Sequence, residues 1–235
     1  MLAIYKREMR SYFTTSAGYV FAALFLVLSG ILFGLFTMKF EQTTDVSGYY
    51  SMLMFAYVIV IPMLTMKTFA EERRTKTEQL LLTAPVSLFS IVMAKFLAAF
   101  TMFIGTLAIT WIYMIPLCLY GEPNMARAFG CMVAVALVGM CFIAVGIFVS
   151  SLTDNQFTAV IGTVAILAAF LGVAMLNSVV DFYPVRVVLS FFSIYSRYSY
   201  FTYGIFDYAA MFYYISVAAV FLFLAVRVYE RRRWR

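Results

Sequence analysis

Six long stretches of the chain carry no charged residue: 11–38, 46–66, 96–121, 128–153, 155–180 and 208–226. Each can hold a helix that crosses about 30 Å of hydrocarbon, which takes about 20 residues, and charges are costly at that depth. The chain is 65% hydrophobic, against roughly 45–50% in soluble domains, so a water-soluble fold is excluded. Its 235 residues leave no room for a separate soluble catalytic domain. The expected class is an all-α membrane protein with six transmembrane helices.

With six spans, 13 of the 17 Lys and Arg residues fall on one side: Lys6, Arg7 and Arg10, five within 67–95, and five from Arg227 onward. Lys39, Arg127, Arg186 and Arg197 remain on the other. Cations favour the cytoplasmic flanks of spans, so both termini are expected in the cytoplasm of a multi-pass protein of the cytoplasmic (inner) membrane. Residues 182–206 are apolar enough for a seventh span. They contain Arg186, Arg197 and Pro184, however, and another crossing would move the arginine-rich tail outside. They are read as one or two short helices dipping partway into the membrane, inside an outer segment over 177–209. The apolar stretch after Arg10 exceeds the roughly 7–15 residues of a signal-peptide core, so it is expected to stay in the membrane.

Ahead of the first span, Leu2, Tyr5, Met9, Tyr12 and Phe13 share one helical face and Lys6, Arg7 and Arg10 the other. Residues 1–16 are either a helix lying along the cytoplasmic surface or a short basic flank that only sets orientation.

The chemistry of the spans is sparse. There is no histidine, no H-E-x-x-H, no G-x-S-x-G and no carboxylate in the central part of any span, so neither intramembrane catalysis nor ion-coupled transport is supported. No catalytic residue, metal site or nucleic-acid partner is expected. Cys118, Cys131 and Cys141 read as small hydrophobes. Gly30 and Gly34, and Gly139 and Gly146 seven apart, read as faces where helices approach closely, for packing within the chain. No glycine is followed by lysine, so a phosphate-binding loop is absent and energy must enter from another chain.

Residues 67–95, KTFAEERRTKTEQLLLTAPVSLFSIVMAK, join the second and third spans. Glu72 and Lys76, and Arg74 and Glu78, stand four apart as in a helix supported in water. Leu80, Leu81 and Leu82 then present apolar surface before Pro85 stops the helix. Ser87 is placed to cap the next helix, and Lys95 to snorkel from it. Such a helix either packs its leucines on the membrane surface or docks into a groove on a cytoplasmic partner.

The run from Phe69 to Lys95, F-A-E-E-R-x-x-x-T-E-x-L-L-L-T-x-P-V-S with a following I-x-x-x-K helix, resembles the first cytoplasmic loop of ABC-2 type transporter permeases. KREMRSYFTTSAGYVF near the N-terminus and SSLTDNQFTAV over 150–160 agree with the same family, most closely the gliding-motility-associated permeases. One departure is Lys76, where many members have glycine.

The resemblance implies a single ABC-2-type transmembrane domain over 1–235, with an interface helix over 1–16, a coupling loop over 70–86 and a re-entrant segment over 177–209. It implies a dimer with a second permease copy or paralogue in the lipid bilayer, docked on a dimer of ABC ATPase subunits that carry the ATP and Mg. No cofactor is implied on this chain. Glu71, Glu72 and Arg73 would stand at the entry of the coupling helix, and Thr77 and Glu78 within it. Leu80, Leu81, Leu82 and Thr83 would form its docking side up to Pro85. Thr153, Asp154, Asn155 and Gln156 would make a second cytoplasmic contact, unless Asp154 only caps the fifth span. The reading that follows is a permease exporting an amphipathic or lipid-linked compound. Its rival is a non-transporting scaffold that relays ATPase motion to an envelope or accessory protein. No substrate-binding residue can be named from the spans.

Overall fold

The computed structural model describes residues 1–39, 45–77, 86–179, 193–204 and 207–233. Among these residues the chain is helical and without strands. Six helices are long and apolar enough to cross a membrane: Ser16–Thr37, Ser47–Arg74, Leu88–Leu119, Met125–Leu152, Gln156–Ala174 and Tyr208–Arg232. They answer the six uncharged stretches one for one.

Helix α1 (Leu2–Thr14) precedes the first span, which is α2 (Ser16–Phe33) continued by a π turn over Gly34–Lys39. The second span is α3 (Ser47–Thr65) followed by α4 (Lys67–Arg74). The third is α5 (Leu88–Ile109), a 3-10 turn over Thr110–Tyr113, and α6 (Met114–Tyr120). Its break has local causes. The hydroxyls of Thr106 and Thr110 donate to the carbonyls of Phe103 and Leu107 at 2.8 and 2.6 Å, and Pro116 lacks the N–H a continuous ladder needs. The remaining spans are α7 (Met125–Leu152), α8 (Gln156–Val179) and α10 (Tyr208–Arg233), with short α9 (Ile194–Thr202) between the last two.

Short polar side chains start these helices. Ser87 Oγ accepts from Ser90 N at 3.3 Å at the head of α5, as expected. Asn124 Oδ1 accepts from Arg127 N, Asn155 Oδ1 from Phe157 N and Asp207 Oδ1 from Ala209 N.

Helix α7 is the hub, with 67% of its most apolar stretch buried against 22% for α8. It packs against α3, α5, α8, α9 and α10 because its inward positions are small: Ala128, Cys131, Ala134, Gly139, Ala144 and Gly146. A Cβ on Gly139 would stand 2.3 Å from Phe103 Cζ, and one on Gly146 2.2 Å from Thr65 Oγ1. The glycines seven apart therefore serve contacts with α5 and α3 inside the chain. A Cβ on Gly30 would stand 3.3 Å from Tyr113 Oη, whereas one on Gly34 would meet open space.

Helix α9 has nine residues, about 14 Å of helix, too short to cross the bilayer. It rests on α7, α8 and α10, and Tyr214 Oη donates to the Ile194 carbonyl at 2.9 Å. Arg197 lies over the ring of Tyr213 at 4.2 Å. Arg186, with the rest of 180–192, falls outside the described residues.

The two ends of the bundle are chemically distinct. At one, Arg127 pairs with Asp45 at 2.9 Å and its Nε donates to the Thr202 carbonyl. At the other lie α1, α4 and the Asp154 turn, with Tyr229 near the end of α10 packed 4.7 Å from Phe69. Both ends of the described chain therefore meet at one end of the bundle.

Candidate coupling site

Helix α4 is aimed by its contacts with α7. The second span breaks at Met66, four residues beyond Pro62, and the first N–H groups of α4 need acceptors outside the helix. Ser150 of α7, fully buried, supplies one: its Oγ accepts from Phe69 N and Ala70 N, both at 3.2 Å, and donates to the Met66 carbonyl at 3.3 Å. Gly146, one turn earlier, makes room for Thr65. Phe69 is buried between the ring of Tyr229 and the ammonium of Lys95, the latter 4.9 Å from its centroid.

Four charges then close a ring. Lys95 Nζ of α5 lies 2.9 Å from Glu72 Oε1 and 3.2 Å from Glu8 Oε1, and donates to the Thr68 carbonyl at 2.6 Å. Arg7 Nη2 reaches the same two oxygens at 2.9 and 2.7 Å. Cations and anions alternate around the square, so each carboxylate oxygen faces two donors. The Lys95 side chain is 1% exposed, which is tolerable only because two carboxylates and a carbonyl replace its water. The hydrogen bond from Arg7 to Glu8 pushes the Arg7 pKa up, against the opposing effect of burial. Burial also pushes up the phenol of Tyr12, whose Oη donates to the Leu64 carbonyl at 3.4 Å. A half-open cavity of about 570 Å³ lies beside the ring, lined by Arg7, Tyr12, Lys67, Thr68, Glu71 and Thr75 among others.

The loop entry is also tied to the next turn on this end. Arg73 forms an ion pair with Asp154, between α7 and α8, so the two segments expected to make cytoplasmic contacts hold one another. Asp154 is not the cap of α8; Asn155 is. Thr153 is half-buried and Gln156 opens α8. Glu71 lines the cavity, and Thr77 bonds Thr75 Oγ1 at 3.0 Å and the Glu72 carbonyl at 3.3 Å. Glu78, Leu80, Leu81, Leu82, Thr83 and Pro85 lie outside the described residues.

Two expectations need correction. The exposed Glu72–Lys76 pair is absent, because α4 stops at Arg74 and Lys76 takes a left-handed backbone with φ 57°, which turns it off the helix. Glu72 instead faces Arg7 and Lys95. Lys95 does not snorkel, because its partners come to it. On α1, Tyr5 and Tyr12 face the bundle, where Tyr5 Oη donates to Thr101 Oγ1 at 3.2 Å, while Leu2 and Phe13 are exposed. Glu8 shares the inward stripe with Ile4 and Tyr12.

Glu8 and Ser150 were not singled out from sequence. Glu8 left a signal: it is the only acid among the first 40 residues, at helical spacing from Ile4 and Tyr12. Ser150 left none, since a serine in an apolar span is ordinary.

A family model described as "ABC-2 family transporter protein" matches residues 36–229. Helices α1 and α2 lie ahead of the matched range. No curated protein matches the chain.

Proposed function

The chain belongs to the ABC-2 family of transporter proteins, and from that premise we propose that this membrane-spanning permease subunit is driven by a separate ABC ATPase subunit dimer through the segment that begins at α4. In this reading the end that carries α1, α4 and the Asp154 turn faces the cytoplasm of a bacterial inner membrane, consistent with the gathering of 13 of the 17 cations on that side. The ATPase docks against Leu80, Leu81 and Leu82, with a second contact at 153–156. The cargo is an amphipathic or lipid-linked compound moved outward.

The observation that carries the reading is the ion-paired frame at the loop entry. Glu72 is bonded to α1 and α5, and Arg73 to the α7–α8 turn. Nucleotide-driven movement of the docked loop would then shift several spans together as near-rigid bodies. A loop that only connected two spans would have no use for a buried lysine shared between helices. Reconstitution of the permease with its cognate ATPase tests the proposal. ATP hydrolysis stimulated by cargo supports transport, whereas stimulation only by a third, envelope protein supports the scaffold.

A further inference from the structure

The cavity of about 570 Å³ between α1 and α4 is balanced in charge, with three cations and three anions among its described lining residues. Arg7, Lys95, Glu8 and Glu72 neutralise one another in the ring. That leaves Lys67 and Glu71. Both are half-buried, they stand four apart on the face of α4 that lines the cavity, and neither forms an ion pair with any described residue. Half-buried charges of this kind give up hydration without a partner in return. An occupant that carries one charge of each sign would complete both.

The geometry points to a site for a phosphoethanolamine zwitterion, the headgroup of phosphatidylethanolamine. Arg7 spends only Nη2 on the ring, so its other guanidinium N–H groups remain, with Lys67, as donors to a phosphate. Glu71 takes the ammonium, and lining hydroxyls add acceptors. Thr75 Oγ1 already donates to the Glu71 carbonyl at 2.9 Å and Thr15 Oγ1 to the Ser11 carbonyl at 2.7 Å. Their remaining lone pairs suit a primary ammonium, which has three N–H bonds to donate. A quaternary ammonium donates none and is held instead by a cage of aromatic rings, whereas Tyr12 is the one ring among the described lining residues. The cavity also lies at headgroup level. Thr15 and Ala17 border it where the first span begins, and Lys67 and Thr68 where the second span breaks. Phe13, Tyr19 and Val20, around the same α1–α2 junction, are exposed and offer apolar surface to acyl chains.

The inference goes beyond the coupling reading and rests on it only for which leaflet supplies the lipid. It is tested by binding, without ATPase. The full chain is placed in phosphatidylcholine nanodiscs doped with equal small amounts of phosphatidylethanolamine and phosphatidylglycerol of matched acyl chains, and retained lipid is measured by native mass spectrometry. The expected result is enrichment of phosphatidylethanolamine over both other lipids, and a higher unfolding midpoint than in pure phosphatidylcholine. Lys67→Met and Glu71→Gln should each lower that enrichment about tenfold, the loss of one charge-assisted contact, while Lys67→Arg keeps it. In pure phosphatidylcholine both weakened variants should unfold with the unsubstituted protein, because neither side chain has a partner to lose. That comparison separates binding from folding. Displacement of the retained lipid by glycerophosphoethanolamine would show that the free zwitterion suffices, and no displacement that the lipid must carry it; either supports the site. Enrichment of phosphatidylglycerol above phosphatidylethanolamine overturns the inference, since the cavity would then select an anion. Equal retention of the three lipids, or an unchanged profile in both weakened variants, overturns it too. Failure here leaves ATPase docking intact, and failure of docking leaves the lipid preference intact.

Discussion

Glu72 Oε1 lies 2.9 Å from Lys95 Nζ, and the lysine is 1% exposed although it stands on a helix expected to let it reach water. Removing one member of a buried pair leaves the other charge without compensation, at about 3–5 kcal/mol. Lys95→Met should therefore be the more severe change, because it leaves Glu8 and Glu72 side by side with only the exposed Arg7 to compensate both. Glu72→Gln should be milder, since Lys95 keeps Glu8 and the Thr68 carbonyl. Thermal unfolding of the purified permease checks the order, at roughly 2–4 °C per kcal/mol for a chain of this size. Midpoints unchanged from the unsubstituted protein in both variants would mean that the ring contributes no stability.

The Arg73–Asp154 pair makes a different prediction, because Asp154 is 68% exposed. An exposed pair contributes about 0–1 kcal/mol, so Asp154→Asn should leave the unfolding midpoint within a few degrees. If the pair links the coupling segment to the α7–α8 turn, the same variant should lower ATP hydrolysis in the reconstituted complex. Unchanged hydrolysis at matched ATPase content would show that the contact is incidental.

Lys76, where the resemblance to ABC-2 permeases leads glycine to be expected, has a φ of 57°, a conformation glycine adopts freely. A side chain costs about 1–2 kcal/mol in the left-handed region, and glycine none. Lys76→Gly should raise thermal stability modestly and Lys76→Val lower it; the reverse order would place the turn elsewhere. The position also shows what sequence could reveal. The departure from glycine was visible, but the i,i+4 spacing of Glu72 and Lys76 suggested a longer helix. Spacing reports only what a helix would bring together if it continued. The six spans were legible because desolvation of charge is large and local. The ring of Arg7, Glu8, Glu72 and Lys95 was not, because it joins three elements far apart in sequence and no periodicity encodes which of them meet.

Two glycine pairs that look alike in sequence should respond differently. Gly146→Ala drives a methyl against Thr65, and overpacking of this kind costs about 1–3 kcal/mol. Part of the loss should return in the double variant with Thr65→Ala. Gly34→Ala meets nothing within 4 Å and should be neutral or slightly stabilising. Unfolding midpoints of the four proteins decide it, and a destabilised Gly34→Ala would place a second chain against that face.

The apolar run at Leu80 to Leu82 carries the most direct prediction about mechanism. If these leucines fill a groove on the ATPase, Leu81→Asp forces a carboxylate into a contact that needs apolar surface, at about several kcal/mol unless the helix withdraws. The ATPase should then fail to copurify with a permease that still inserts at normal levels. The ion-paired frame sharpens the comparison with Glu72→Gln, which loosens the loop entry without touching the leucines. That variant should keep the ATPase bound but lower its coupled hydrolysis. The pattern separates docking from transmission: loss of partner at Leu81, loss of coupling at Glu72. Should Glu72→Gln release the ATPase while Leu81→Asp retains it with full activity, the partner grips the ion-paired end of the segment and the leucines lie on the membrane instead.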